Sequence, residues 1–200
     1  MNNYEYIIAG LPLLSSDGSN AQVDADEVIA EIRSQCSKKD NALIDFLMEG
    51  YNQDTLGRDF YLKALSHRDK FIREYFAFDL ELRNAKVRYI NKALGRAPMQ
   101  DIVILDQSED AQMPEPDPEM DAVFIADDLI QRERKIDDFI WEKVDSLTLM
   151  ELFTMDRILA FIVKLRIIDR WNKLDPQTGR EMFRSLVDEI RGTFKGVEYE

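Results

Sequence analysis

Apolar side chains recur along most of this chain at intervals of three and four, the period of one helix face. The longest such run is "FDLELRNAKVRYINKALGR", residues 78–96. Leu80, Asn84, Val87, Asn91 and Leu94 form one stripe, and Phe78, Leu82, Ala85, Tyr89 and Ala93 form a second beside it. Two asparagines therefore stand inside a wide apolar arc. Asp79, Glu81, Arg83, Lys86, Arg88 and Lys92 load the same stretch with charge. Amides in that position fit either a helix lining a catalytic cleft or the polar-cored central helix of a binding or scaffolding protein.

The same period assigns the other elements. Asp24, with Glu27 three residues on, is a helix start in which Asp replaces the usual Ser or Thr. It leads into "EVIAEIRSQC", where Val28, Ile32 and Cys36 align. Helices are predicted over roughly 41–51, 55–65 and 67–94, the last stopped by Gly95 and Pro98. Residues 102–105 could form a strand, but one too short to nucleate a sheet. Pro114, Pro116 and Pro118 among acidic residues predict a solvated linker over 107–120. An exposed helix with Leu129, Ile136, Ile140 and Val144 on its apolar edge is expected over 121–144. Residues 155–172 are apolar around most of a helix, which predicts the buried centre of a bundle. Trp171 continues that helix and is expected to be buried, whereas Trp141 lies among charges and should be less so. Asp175 and Pro176 open a last amphipathic helix carrying Phe183, Leu186, Val187 and Ile190.

The predicted class is all-α: an elongated multi-helix bundle with a long central helix and an acidic, proline-rich linker. Residues 1–106 and 121–200 form its two helical parts, packed as one domain around the linker at 107–120.

Charge narrows the function classes. The net charge of -13 argues against nucleic-acid binding, which needs a basic footprint. Ten of the 39 acidic residues fall within 101–128, where no Lys or Arg occurs. The acidity is thus local, and the rest of the chain is close to balance. A single cysteine, Cys36, suits a reducing compartment and reads as a small apolar residue near a helix end. No apolar run approaches the roughly 18 residues of a membrane span. The opening "MNNYEYIIAGLPLLSS" has no basic residue before its apolar centre, so a secretory signal is not expected. A cytoplasmic location is expected.

Candidate chemistry is sparse. The one histidine, His67, cannot build a two-histidine metal site or a Glu-x-x-His di-metal bundle site. "HRD" at 67–69 spells the start of a kinase catalytic loop, but no glycine-rich phosphate loop accompanies it and it opens a helix. Glu74 and Glu81 share a helix face and could in principle hold a cation, although Arg88 and Lys92 nearby favour a surface charge network. No metal or cofactor is expected. Asn84 and Asn91 are then expected to hydrogen-bond across to neighbouring helices and set their register.

"YEYIIAGLP" near the start and "REYFAFDLELRNAKVRYINKALGR" resemble the C/d subunit family of rotary V-type and A-type ATPases. They resemble more closely a small bacterial family of unassigned function grouped with V-type ATP synthase components. The aromatic start at Tyr4 and Tyr6, the helix "DLELRNAKV" and the late helix "MDRILAFIVKLRIIDRW" carry the likeness. The resemblance implies a non-catalytic central-stalk component whose partners are the rotor shaft and the membrane ring. It would be peripheral on the inner membrane through that complex. This chain is shorter than a typical C/d subunit and carries the acidic insertion. The family's pattern supplies no catalytic residue; Glu81, Arg83 and Asn84 match its polar helix and, with Asn91, are interface or packing candidates. Two other readings stay open: an unrelated helical adaptor whose acidic linker recruits a basic partner, and a small helical enzyme with a carboxylate site.

Overall fold

The computed structural model of the 200-residue chain describes residues 3–16, 23–106, 117–126 and 128–173. Among them are eight helices and no strand: α1 (Tyr4–Gly10), α2 (Ala25–Gln35), α3 (Lys38–Glu49), α4 (Arg58–Leu65), α5 (Lys70–Ala93), α6 (Pro118–Val123), α7 (Leu129–Leu147) and α8 (Met155–Lys173). Regular structure among the described residues is all helical, as the periodicity predicts. The last predicted helix and residues 107–116 lie outside the described residues.

Local signals set the helix ends. Asp24 caps α2 by accepting from the amides of Asp26 at 3.0 Å and Glu27 at 3.1 Å. A full capping box starts α3: Ser37 Oγ accepts from the Asp40 amide at 3.3 Å, and Asp40 Oδ2 accepts from the Ser37 amide at 3.1 Å. This places the start of α3 ahead of the predicted residue 41. Asp69 caps α5 by accepting from Ile72 at 3.0 Å, and Arg73 Nη1 donates to the carbonyls of His67 and Arg68 at 2.6 and 2.8 Å. The "HRD" triplet is therefore the capping turn of α5. The far end closes with Gly95 at φ 65°, where Arg96 N donates to Asn91 O at 2.8 Å and Gly95 N to Lys92 O at 3.3 Å. That paired closure needs a left-handed residue, which glycine supplies.

Two expectations change here. The acidic stretch does not stay solvated through residue 120: Asp117 caps α6, Pro118 takes its first turn, and Met120 is buried. Proline at the first helical position removes a donor the helix does not use, so it starts this helix instead of breaking it. The helix expected over 121–144 is divided, with α6 ending at Val123 and α7 starting at Leu129. Arg132 and Lys135 reach back from α7 and donate to the carbonyls of Phe124, Ala126 and Ile125 at 2.9–3.0 Å. These cations satisfy the oxygens that a continuous helix would have bonded itself. Leu129 is consequently exposed, while Ile136 and Val144 are buried.

Two apolar clusters share α5. Phe71, Ile72, Tyr75, Phe76 and Leu80 of its first half join the main cluster with Ile158, Leu159, Ile162 and Leu165 of α8. Phe78, Leu82 and Ala85 join Met120, Phe124 and Ile136 in the second. The buried centre is α8, which packs on α1, α2, α3 and α7. Helices from either side of residues 107–116 thus share one core. Each fully buried Leu or Ile of α8 contributes about 1.5–3 kcal/mol from apolar burial.

Candidate functional site

Asn84 and Asn91 face the chain segment that follows α5, not another helix. Asn84 Nδ2 donates to Val103 O at 2.9 Å, and its Oδ1 accepts from Val103 N at 3.0 Å. The side-chain amide stands in for a neighbouring β-strand and satisfies both backbone groups of one residue. Asn91 Nδ2 donates to Gln100 O at 2.7 Å and to Pro98 O at 3.4 Å. From α4, Arg58 completes the fastening, with Nη2 donating to Leu105 O at 2.8 Å and Nε to Ile104 O at 3.3 Å. Asp101, at φ 62°, helps turn the segment back along α5. Both asparagines are buried. The expectation that they bridge to helices is corrected: the residues that follow α5 form no helix, so their backbone groups need partners, and the amides supply them.

A groove of about 470 Å³ opens beside this fastening. Leu80, Glu81, Asn84 and Arg88 line it from α5, with Val103 to Asp106 on one side and Asp117 and Met120 on the other. Glu81 is exposed at its edge. Arg88 lies 3.7 Å from Asp121 of α6, and its buried Nε has no hydrogen-bond partner among the described residues. The groove thus combines three carboxylates, Glu81, Asp106 and Asp117, with one guanidinium and an apolar floor, while its one side-chain amide is engaged with Val103. Sequence reasoning placed Arg88 in a surface network with Glu74 and Glu81. Instead Glu74 pairs with Lys70 at 3.8 Å, and Arg88 turns toward α6.

Arg83 is not part of the groove. Its Nε donates to Asp79 Oδ2 at 2.8 Å, and Tyr61 of α4 donates to the same oxygen at 2.6 Å. Burial raises the Tyr61 phenol well above its ordinary range, and Asp79 reinforces the rise. Tyr51 and Tyr75 meet nearby, oxygen to oxygen at 3.4 Å, and burial pushes Tyr51 up to about 12. These phenols stay protonated at neutral pH and hold α4, α5 and the turn after α3 together. Of the four candidates, Glu81 and Asn84 share the groove, Asn91 extends the fastening, and Arg83 belongs to the α4–α5 contact.

A second polar cluster joins α7 to α8. Asp137 is buried and accepts from Arg170 Nη2 at 2.5 Å and from Trp171 Nε1 at 2.5 Å. Burial raises its pKa, while Arg170 and Trp171 oppose the rise. Trp171 is half-buried, as is Trp141, so Trp171 is not the buried residue expected. The last turn of α8 has become polar, and its indole meets the charged face of α7, with Arg134 over the ring at 3.9 Å.

Reactive and metal-binding groups do not converge among the described residues: no three His, Cys, Asp or Glu side chains are grouped to hold a metal. Cys36 is the half-buried cap of α2, and burial raises its thiol pKa. No described helix is long and apolar enough to cross a membrane.

Comparison with known proteins adds a family but no activity. No curated protein and no solved structure matches the chain. A family model described as "Protein of unknown function (DUF2764)" matches residues 49–193, a span that holds the fastened segment, the groove and both polar clusters. The chain belongs to the DUF2764 family.

Proposed function

We propose that this chain is a non-catalytic component of a V/A-type rotary ATPase, similar to the central-stalk subunit that connects rotor shaft to membrane ring. Support comes from the resemblance across "YEYIIAGLP" and "REYFAFDLELRNAKVRYINKALGR". The observation that carries the reading is how α5 uses its polar residues. Asn84, Asn91 and Arg83 bind the protein's own backbone and side chains, which stiffens a 24-residue helix shared by two cores. A part that transmits force needs such stiffness. Its partners in this reading are the rotor shaft and the membrane ring, and the chain alone hydrolyses nothing.

The test is purification of the native protein from its own cells in mild detergent. Stoichiometric recovery of V/A-type ATPase subunits supports the reading. Repeated recovery of another stable complex without any ATPase subunit overturns it. A second reading, an unrelated helical adaptor, is favoured by the large apolar side chains exposed at Leu149, Met150, Leu152 and Phe153.

A further inference from the structure

Four large apolar side chains stand in the turn between α7 and α8. Leu149 is 74% exposed, Met150 88%, Leu152 69% and Phe153 52%. Scattered exposed leucines need no explanation, but four large apolar side chains exposed within five residues of one turn concentrate apolar surface there. The turn that carries them is anchored. Thr148 is buried and donates to Val144 O at 3.0 Å, Arg157 Nη1 donates to Thr148 Oγ1 at 3.3 Å, and Glu151 N donates to Thr148 O at 3.0 Å. A held turn presents its side chains without first having to be ordered, which lowers the cost of docking.

The rim of the patch is acidic. Glu151 lies within it, Asp156 follows in the first turn of α8, and Asp69 and Glu74 at the start of α5 act on Asp156 electrostatically. Lys70 pairs with Glu74 at 3.8 Å, and Arg157 shares Asp145 with Lys164, at 3.9 and 2.6 Å, which leaves Glu151, Asp156 and Asp69 without an ion-pair partner within 4 Å among the described residues. Burial and the like charges of Asp69, Glu151 and Glu74 raise Asp156 to about 6, with Lys70 opposing the rise without cancelling it. An apolar patch under a negative field repels an anionic membrane surface. It also repels a second copy of itself, since pairing would bring Glu151 and Asp156 against their equivalents.

We propose that the α7–α8 turn is a docking surface for a basic amphipathic helix of a partner protein. The apolar face of that helix covers Leu149, Met150, Leu152 and Phe153, and its Lys or Arg residues meet Glu151 and Asp156. This docking chemistry is independent of which complex the chain joins.

The test uses the full-length protein and two synthetic helical peptides of about five turns. Both carry leucines along one face; one has lysines on the other face and one has glutamates. Saturable binding of the lysine peptide, measured by fluorescence anisotropy, is expected, with none of the glutamate peptide. Leu152→Ser with Phe153→Ser should weaken it by about tenfold or more, as loss of central anchors does. Glu151→Lys with Asp156→Lys should do the same, whereas Glu119→Lys with Asp128→Lys, an equal change in net charge at exposed residues of α6 and the far end of α7, should leave it unchanged. Leu149→Ser with Met150→Ser is a second apolar variant, at the most exposed positions, where folding is least at risk. Absence of binding, indifference to the turn variants, or equal loss from the distant charge change overturns the proposal. So does binding to phosphatidylglycerol vesicles in place of the peptide, or dimerisation that the turn variants abolish.

Discussion

The side-chain amide of Asn84 forms a two-way hydrogen bond with the backbone of Val103, donating at 2.9 Å and accepting at 3.0 Å. Leucine at this position fills similar space but leaves both Val103 groups without a partner. A buried unsatisfied group costs about 1–3 kcal/mol, and because Val103 is only half-buried water recovers part of the loss, so Asn84→Leu should destabilise by about 2–4 kcal/mol in chemical denaturation. Arg83→Ala removes a half-exposed pair with Asp79 and should cost well under half as much. Equal effects of the two substitutions would show that the amide is not a fastening.

Gly50 should tolerate no side chain. A Cβ there would enter the van der Waals envelope of the Phe76 ring, where α3 ends against α5. Gly50→Ala is expected to cost about 1–3 kcal/mol through overpacking. The same change in a Phe76→Leu background should cost clearly less, because the obstructing ring is gone. Additive costs in a double-mutant cycle would place the penalty elsewhere.

Stability should fall as pH rises through the range of Asp156. Burial, then Asp69 and Glu151, raise this carboxyl from 3.8 to about 6, so the folded state holds its proton where the unfolded state has lost it. The contribution is present below about 4 and disappears as pH rises through about 6. Asp156 is partly exposed, and screening reduces the effect to about 1 kcal/mol. Asp156→Asn should flatten that part of the stability profile and raise thermal stability at neutral pH. An unchanged slope between pH 4 and 6 in the variant would contradict this assignment.

Much of the fold was legible because helices leave a period in sequence. The closure of α5 at Gly95, the apolar circumference of α8 and the Asp24 cap all read directly from residue type and spacing. The start of α3 was less visible, since its box uses Asp40 in place of the commoner Glu or Gln. The break between α6 and α7 depends on Arg132 and Lys135 reaching backward, and a mixed-charge run does not reveal that direction. The site was legible only by half. Two amides inside an apolar stripe announced buried polar contacts, but their partners lie in residues 98–103, which carry no periodic pattern. Arg58 and Arg88 gave no signal, because an arginine on a short or crowded helix looks the same whether it faces solvent or clasps a neighbouring strand of chain.

The functional reading requires α5 to be a braced part whose amides hold the protein together. Amide hydrogen exchange at Val103, followed by NMR, tests this most directly. The Val103 N–H should be protected in the native protein, and Asn84→Leu should remove that protection while amides of α8 such as Ile162 stay slow. A Val103 amide that exchanges as fast as an open loop, or one whose protection survives the substitution, would contradict it.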